Sequence, residues 1–485
     1  MPIKSLLKNI LKEFINLEKI LKNTSQKPTG KMGRPKKRHG FCLLPVLTKL
    51  KYTCSQNHFI RLLLIMDIGI SGLLKIIEEL FPIPGRFRQN LPYDVADLSR
   101  LLTADRGERD SGYLNRPNML SAYLRFFLPW NVFRLLALFS LKTGNQPGTE
   151  RQNIIPALSD GDAITDLGSG PLTLPIALWI AFPQLHTVKL EFRCVDKSSA
   201  VLDAGYKLFK ALCAASEGSP PGNSAGWKIK TIHDSIEAPI RGKPAKLVTA
   251  VNVFNEIFTG MQRNAVLKDA EKAASNLCRL SADNGYILVV EPGNPQGGAF
   301  ISALRNAMIH KGKHPIAPCP HLKQCPFPGI STAPSAANTR GTKAKWCHFS
   351  FSTETAHDFL HNLSIEAGIP KERASFSFLF AGPADLKHIN HNSETVNLKR
   401  IHHNTSSALN SLCIRIVSDT FPVPFAKSGL GCYGCSEKGM VLVTGNGTQF
   451  NSVTHGSLLT LPIPKSEQHD PKTGALIVQL DFLHE

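Results

Sequence analysis

The chain has 485 residues, 42% of them hydrophobic, and a formal charge of +19 from 56 Lys+Arg against 37 Asp+Glu. That length predicts two or three domains, and the charge predicts a polyanionic partner. Eleven cysteines are too sparse for a secreted disulfide scaffold, and no apolar run approaches the ~20 residues that span a bilayer, so a reducing, soluble compartment with no membrane partner is expected.

Residues 1–59 form a basic arm. The first 60 residues hold 13 Lys+Arg and 2 Asp+Glu, so the other 425 carry only +8. Ile3, Leu7, Ile10, Phe14, Leu17 and Leu21 recur at helical steps and predict an amphipathic helix over 3–22. It reads as a docking helix or short coiled coil. A targeting presequence is the alternative, against which stand the lack of Arg and the presence of Glu13 and Glu18. Next, "KMGRPKKRHG" (31–40) resembles an AT-hook, with Arg34 suited to a narrow minor groove; DNA or RNA contact by this arm and a plain solvated linker are both open.

Residues 60–150 read as a helical domain. "LSAYLRFFLPWNVFRLLALFSL" (120–141) places aromatics and leucines at helical spacing, with Pro129 kinking or restarting the helix. Residues 151–312 then alternate strand-like and helix-like stretches. The strands are "AITDLG", "EFRCVD", "WKIKTIHD", "LVTAVNVF" and "GYILVVEPG", with helices such as 198–214 and 263–280 between them. This alternation predicts an α/β fold with a parallel, doubly wound sheet. Residues 313–382 hold a cysteine-bearing loop and the last sheet strands. Residues 383–485 form a β-rich C-terminal domain of short apolar runs, opening on a His-, Asn- and Ser-rich stretch over 383–410.

The most informative local pattern is "AITDLGSGPLTLPIALWIA" (163–181). A strand ends at Asp166, and Gly168-Ser169-Gly170 lets the backbone approach a ligand closely. The second strand ends in Asp196, placed to take both ribose hydroxyls of a nucleoside. The third glycine of a dinucleotide fingerprint is missing, which favours a nucleoside without phosphates. Asp234 follows the third strand, where an adenine amino group could be met, and Asn252 follows the fourth. In combination these residues resemble class I S-adenosylmethionine-dependent methyltransferases, and the resemblance implies that Asp166, Gly168, Ser169, Gly170, Asp196, Asp234 and Asn252 bind S-adenosyl-L-methionine. The acceptor side is silent: no Asn/Asp-Pro-Pro-aromatic run follows the fourth strand, and no cysteine lies between Cys213 and Cys278. Asn252, Asn255 and Glu256 are polar candidates that serve equally well as turn formers, so the catalytic group is unknown.

"PCPHLKQCPFPG" (318–329) and "KAKWCHFSF" (343–351) gather Cys319, Cys325 and Cys347 in irregular backbone beside His321 and His348. Clustered thiols in a reducing compartment point to a metal. Five residues separate the first pair and twenty-one the second, loose for a zinc knuckle and unlike a ferredoxin run, so spacing leaves zinc and iron–sulfur both open.

"DLGSGPLTLP", "NVFNEIF", "VVEPGNPQGG", "PCPH…CP" and "WCHF", in this order, together with "RPNMLSAYLRFFLPWNVFRL", resemble one family. It is the methyltransferase-like family acting in assembly of the mitochondrial small ribosomal subunit, with its bacterial relatives. The resemblance covers about residues 95–445. It implies an S-adenosylmethionine-dependent, RNA-directed methyltransferase-like factor working with small-subunit ribosomal RNA, or a non-catalytic assembly factor keeping the fold. It also implies a [4Fe–4S] cluster on Cys319, Cys325, Cys347 and a fourth cysteine, Cys435, with Cys432 the runner-up and zinc the alternative metal. The compartment is bacterial cytoplasm or mitochondrial matrix, the cytoplasm preferred.

Overall fold

The computed structural model describes residues 69–103, 112–141, 154–215, 226–257, 262–330, 345–384, 411–424, 429–451 and 453–480. The basic arm, with its 3–22 helix and Gly-Arg-Pro segment, and nearly all of 383–410 lie outside the described residues.

A helix over 69–80 (α1) and α2 (Leu91–Thr103) precede α3, which runs from Pro117 to Phe139. Pro117 opens α3 where no intrahelical N–H is needed. Pro129 does not restart the helix. A π-type turn at Tyr123–Phe127 widens it just ahead of the proline, which absorbs the missing donor and the ring's bulk. By length and composition α3 could cross a membrane, yet 83% of its most apolar window is buried inside the protein. Trp130, Phe126 and Phe133 are among its sealed side chains.

Two sheets follow. The first has eight strands in the order β3-β2-β1-β4-β5-β8-β6, with β7 beside β8. They are β1 (Ala163–Leu167), β2 (Leu190–Asp196), β3 (Trp227–His233), β4 (Ala245–Val251), β5 (Ser281–Pro292), β6 (Lys313–Ala317), β7 (Phe349–Ser352) and β8 (Arg373–Pro383). β1 to β5 pair in parallel, and β8 pairs antiparallel with β5, β6 and β7, so the sheet is mixed. Helices α4 (Thr173–Ala181) and α5 (Ser199–Ala215) cross over between the first strands, and α6 (Arg263–Leu280) and α7 (Pro295–His310) between the later ones. Strands β1, β4 and β8 are buried along nearly their whole length because both faces are covered there, whereas edge strand β3 is largely open to solvent. Along β5, Leu288 and Val290 enter the core shared with α3, α4 and α5, while Ile287 and Val289 enter the core under α6 and α7.

β6 and β7 divide the outer edge of β8 between them: β6 pairs with 380–383 and β7 with 373–376. The chain leaves that edge after Ala317 and regains it at Phe349, and the excursion carries three cysteines. Helix α8 (Asp358–Glu366) links β7 to β8. The second sheet has the order β13-β9-β11-β12-β14, with β10 (Phe421–Pro422) beside β11. Its strands are β9 (Ser411–Ile416), β11 (Leu430–Ser436), β12 (Gly439–Gly445), β13 (Leu458–Pro462) and β14 (Leu476–Gln479), around a core of its own.

Candidate functional site

The strand order reverses direction between β2-β1 and β4, the place where open α/β sheets bind ligands. β1 ends there in a tight turn. Gly168, Gly170 and Leu172 all have left-handed φ, at 60°, 53° and 57°. A left-handed leucine costs about 1–2 kcal/mol and marks a turn held for a purpose. A side chain at Gly168 would meet Val253 Cγ2 at 2.5 Å, whereas one at Gly170 would meet only the Tyr123 hydroxyl at 3.7 Å.

Asp166 braces this turn from within. Its carboxylate accepts from Ser169 Oγ and from Thr249 Oγ1 on β4, each at 2.6 Å, and burial pushes it up to about 6. Asp196 stands across the turn. Its Oδ2 accepts from Gly170 N at 2.9 Å and its Oδ1 from Ser198 N at 2.9 Å. Burial raises its pKa, against the pull of those N–H groups. Asp234 begins the loop after β3. Its N–H donates to the Asp196 carbonyl at 3.1 Å, and its exposed side chain accepts from Ser235 N.

The loop after β4 closes the other side. Asn252 takes a left-handed φ of 57° and its N–H donates to Val290 O at 2.8 Å. Buried Glu291, at the end of β5, receives Val253 N, Phe254 N and Asn255 N at 3.2, 2.9 and 3.0 Å. One carboxylate therefore fixes the whole turn that presents Asn255 and exposed Glu256. α3 lies over the mouth: burial first, then Glu256 and Asp196, push the Tyr123 hydroxyl up. The structure thus gathers Asp166, Gly168, Ser169, Gly170, Asp196 and Asn252 around one mouth, with Asp234 at its rim.

The second constellation lies between the two sheets. Cys319, Cys325, Cys347 and Cys435 line one cavity with Arg305, Arg415, Phe327 and Phe378. Its atom-free space is about 430 Å³, counting the part open to solvent. Among the described residues, no three His, Cys, Asp or Glu side chains are grouped closely enough to hold a single metal ion. Burial raises the thiols of Cys319, Cys347 and Cys435. For Cys347 and Cys435 the other thiols are the next cause, while Arg305 pulls Cys319 back. Cys432 stays outside: three positions from Cys435 on β11, it points to the opposite face and is sealed in the second sheet's core. His321 enters the cavity's rim, its Nε2 3.2 Å from Cys435 Sγ and its Nδ1 buried without a partner. His348 instead stacks on Trp346 and packs against His455.

Sequence reasoning missed the residues that hold both constellations. Arg305, 2% exposed, donates to Cys319 Sγ at 3.2 Å, His321 O at 2.7 Å and Lys323 O at 2.8 Å. Arg415, 4% exposed on β9, donates to Pro318 O and Gly456 O at 2.9 and 2.8 Å. A signal existed for Arg415, a charge inside the apolar run "SLCIRIV". The same holds for Glu291 within "VVEPG".

A mixed sheet with β1 to β5 parallel in the order 3-2-1-4-5, a glycine turn after β1 and an acid closing β2 define a class I methyltransferase-like fold. The family described as "Mitochondrial small ribosomal subunit Rsm22" matches residues 160–419, more than half of the chain, and the chain belongs to that family. No curated protein matches the sequence significantly. Among solved structures, an S-adenosylmethionine-dependent methyltransferase from Geobacter sulfurreducens, in complex with S-adenosyl-L-homocysteine, is 11% identical, covering 47% of this chain and 86% of its own, with a TM-score of 0.25. One from Thiobacillus denitrificans, with the same ligand, is 10% identical over 47% and 86%, at 0.26. The 16S rRNA methyltransferase KamB is 10% identical over 46% and 89%, also at 0.26.

Proposed function

We propose that the chain binds S-adenosyl-L-methionine over the Gly168–Gly170 turn and serves the small ribosomal subunit as an RNA-directed methyltransferase-like factor. The observation that carries this reading is the Gly170–Asp196 contact at the strand-order switch. It holds a carboxylate beside a backbone turn that can approach a nucleoside closely. Asp196 would take the ribose hydroxyls and Asp234 the adenine end. Asp166, Ser169 and Thr249 would keep the turn in shape, and Glu291 would hold Asn252 to Glu256 toward the acceptor. S-adenosylmethionine, when bound, supplies an electrophilic methyl group. The runner-up, a non-catalytic assembly factor, draws on the same geometry, since among the described residues no acceptor-activating group stands out at the mouth. The family description favours the small ribosomal subunit as partner, and a mitochondrial location over the bacterial cytoplasm preferred from sequence. Calorimetric titration with S-adenosylhomocysteine tests the cofactor half: no heat of binding at millimolar ligand would overturn it. Crosslinked RNA mapped outside ribosomal RNA would overturn the other half.

We further infer a [4Fe–4S] cluster on Cys319, Cys325, Cys347 and Cys435. The donor set fits: four thiols share a cavity, and two buried arginines offset the charge that their thiolates would carry. Zinc asks for thiolates only about 3.8 Å apart, from Zn–S near 2.3 Å in a tetrahedron. A cluster, whose iron and sulfide atoms hold the thiolates farther apart, is the group that the family resemblance implies for these cysteines. Such a cluster would tie the 318–348 excursion to β11 and couple its ordering to metal. Anaerobically purified protein should be brown and contain iron; colourless protein with one zinc would refute the cluster and keep the site.

A further inference from the structure

α3 brings one polar group to the cofactor mouth that the reading above leaves unused. Tyr123 opens the π-type turn of that helix, and its ring is held by Phe127, stacked at 5.7 Å between centroids and 29° between planes. π-type turns collect at functional sites, where the extra residue turns side chains off the regular helical faces. Here the Tyr123 hydroxyl stands over the glycine turn. A Cβ placed on Gly170 would lie 3.7 Å from that oxygen and, its chain neighbours aside, would meet nothing else within 4 Å. Tyr123 and Gly170 are both only half-buried, so the space between them can be reached from the mouth. The helix is pinned in this position: Asn115, in the turn leading into α3, accepts from Ser198 Oγ at 3.3 Å, and Ser198 N donates to Asp196. The hydroxyl is also set up as a donor. Asn131 gives its Oδ1 to Arg134 Nη1 at 2.6 Å, so its amide meets the phenol through the NH2 and draws the phenol's pKa down. Burial first, then Glu256 and Asp196, outweigh that pull and keep the group protonated.

We propose that Tyr123 donates to the carboxylate at the amino-acid end of S-adenosylmethionine, and so selects the whole cofactor over its nucleoside part. In nucleotide-binding sheets the acid closing β2 takes the ribose, and the 5′ substituent runs over the glycine turn. Asp196 Oδ2 already accepts from Gly170 N at 2.9 Å, so a ribose at Asp196 sends its 5′ substituent over Gly170 and under the Tyr123 hydroxyl. In S-adenosylmethionine that substituent is a sulfonium carrying an amino acid. Its ammonium can only donate, whereas its carboxylate accepts, and a hydroxyl donating to a carboxylate makes a charge-assisted hydrogen bond. Packing alone would be served by phenylalanine, as at Phe126 and Phe127. The family match spans 160–419, so this contact adds to the site a residue from a helix outside the match.

The assignment rests on the cofactor reading above, and the two fail differently. The probes are S-adenosylhomocysteine, which keeps the amino-acid end, and 5′-methylthioadenosine, which lacks it, each titrated by calorimetry into the full chain. Tyr123→Phe should weaken S-adenosylhomocysteine binding roughly tenfold or more and leave 5′-methylthioadenosine within about twofold. Equal weakening of both would overturn the proposal and make Tyr123 a support of the turn. Unchanged affinity for both would overturn it too, leaving the hydroxyl outside the site. The ratio of the two affinities decides even if Tyr123→Phe melts earlier than the wild type, because lost folding lowers both alike. Wild-type protein that binds neither probe would sink the cofactor reading itself.

Discussion

The glycine turn and the thiol cavity are both built around buried charge, but they are assembled differently. The turn is local: Asp166, Ser169 and Gly170 lie within five residues, and Asp196 and Thr249 arrive by direct strand pairing with β1. The thiol cavity takes residues from α7, the 318–348 excursion, β9 and β11. Backbone pairing fixes the first, whereas the second depends on two arginines that reach the same loop from helix α7 and from strand β9 of the second sheet. Arg305 holds it at Cys319, His321 and Lys323, and Arg415 holds it at Pro318. The turn should therefore keep its shape whatever binds it, and the cavity should change with its contents.

The largest expected effect sharpens that contrast. Cys325→Ser or Cys435→Ser should abolish iron content and colour, while Cys432→Ser should keep both, because Cys432 packs in the second sheet's core. Iron analysis after anaerobic purification decides it, and iron that survives Cys435→Ser would detach β11 from the site.

Next comes the acid inside the turn. Asp166 has a folded-state pKa of about 6 against an ordinary 3.8. The folded protein therefore holds this proton more tightly than the unfolded chain does. Stability from Asp166 is full below pH 3.8 and is lost as pH rises through 6, by about 3 kcal/mol at roughly 1.4 per unit. Asp166→Asn cannot ionise, so its melting temperature should gain on the wild type between pH 4 and 7. Parallel curves would mean that the Ser169 and Thr249 hydroxyls hold the carboxylate ionised.

Asp196→Ala follows. Loss of a charge-assisted pair of hydrogen bonds is worth about 1.5–3 kcal/mol, or roughly ten- to a hundredfold in S-adenosylhomocysteine affinity. Its melting temperature should move little in comparison, since the groups that lose a partner are backbone N–H groups at the turn, of Gly170, Lys197 and Ser198. Unchanged affinity by calorimetry would remove Asp196 from the cofactor site.

The smallest effect is Gly168→Ala. A left-handed alanine costs about 1–2 kcal/mol, and its Cβ would press on Val253 Cγ2. Val253→Ala in the same chain should recover the steric part and leave the backbone part. If the double variant is no more stable than Gly168→Ala in thermal unfolding, the turn and the β4 loop do not touch as described.

The sequence by itself determined the alternation of strands and helices from 163 to 310, because apolar period and glycine punctuation are local properties of the chain. It also placed Asp166, Gly168, Gly170 and Asp196 at strand ends, since each follows its own apolar run directly. Periodicity could not say that the sheet turns antiparallel at β8, because an apolar run reads the same in either direction. Only the tertiary structure separated Cys435 from Cys432, by the alternating faces of β11, and only it found Glu291, Arg305 and Arg415. A buried charge reads in sequence as an exposed one. Its role is set by which carbonyls, N–H groups and thiols reach it, and those come from segments 14 to 97 residues away.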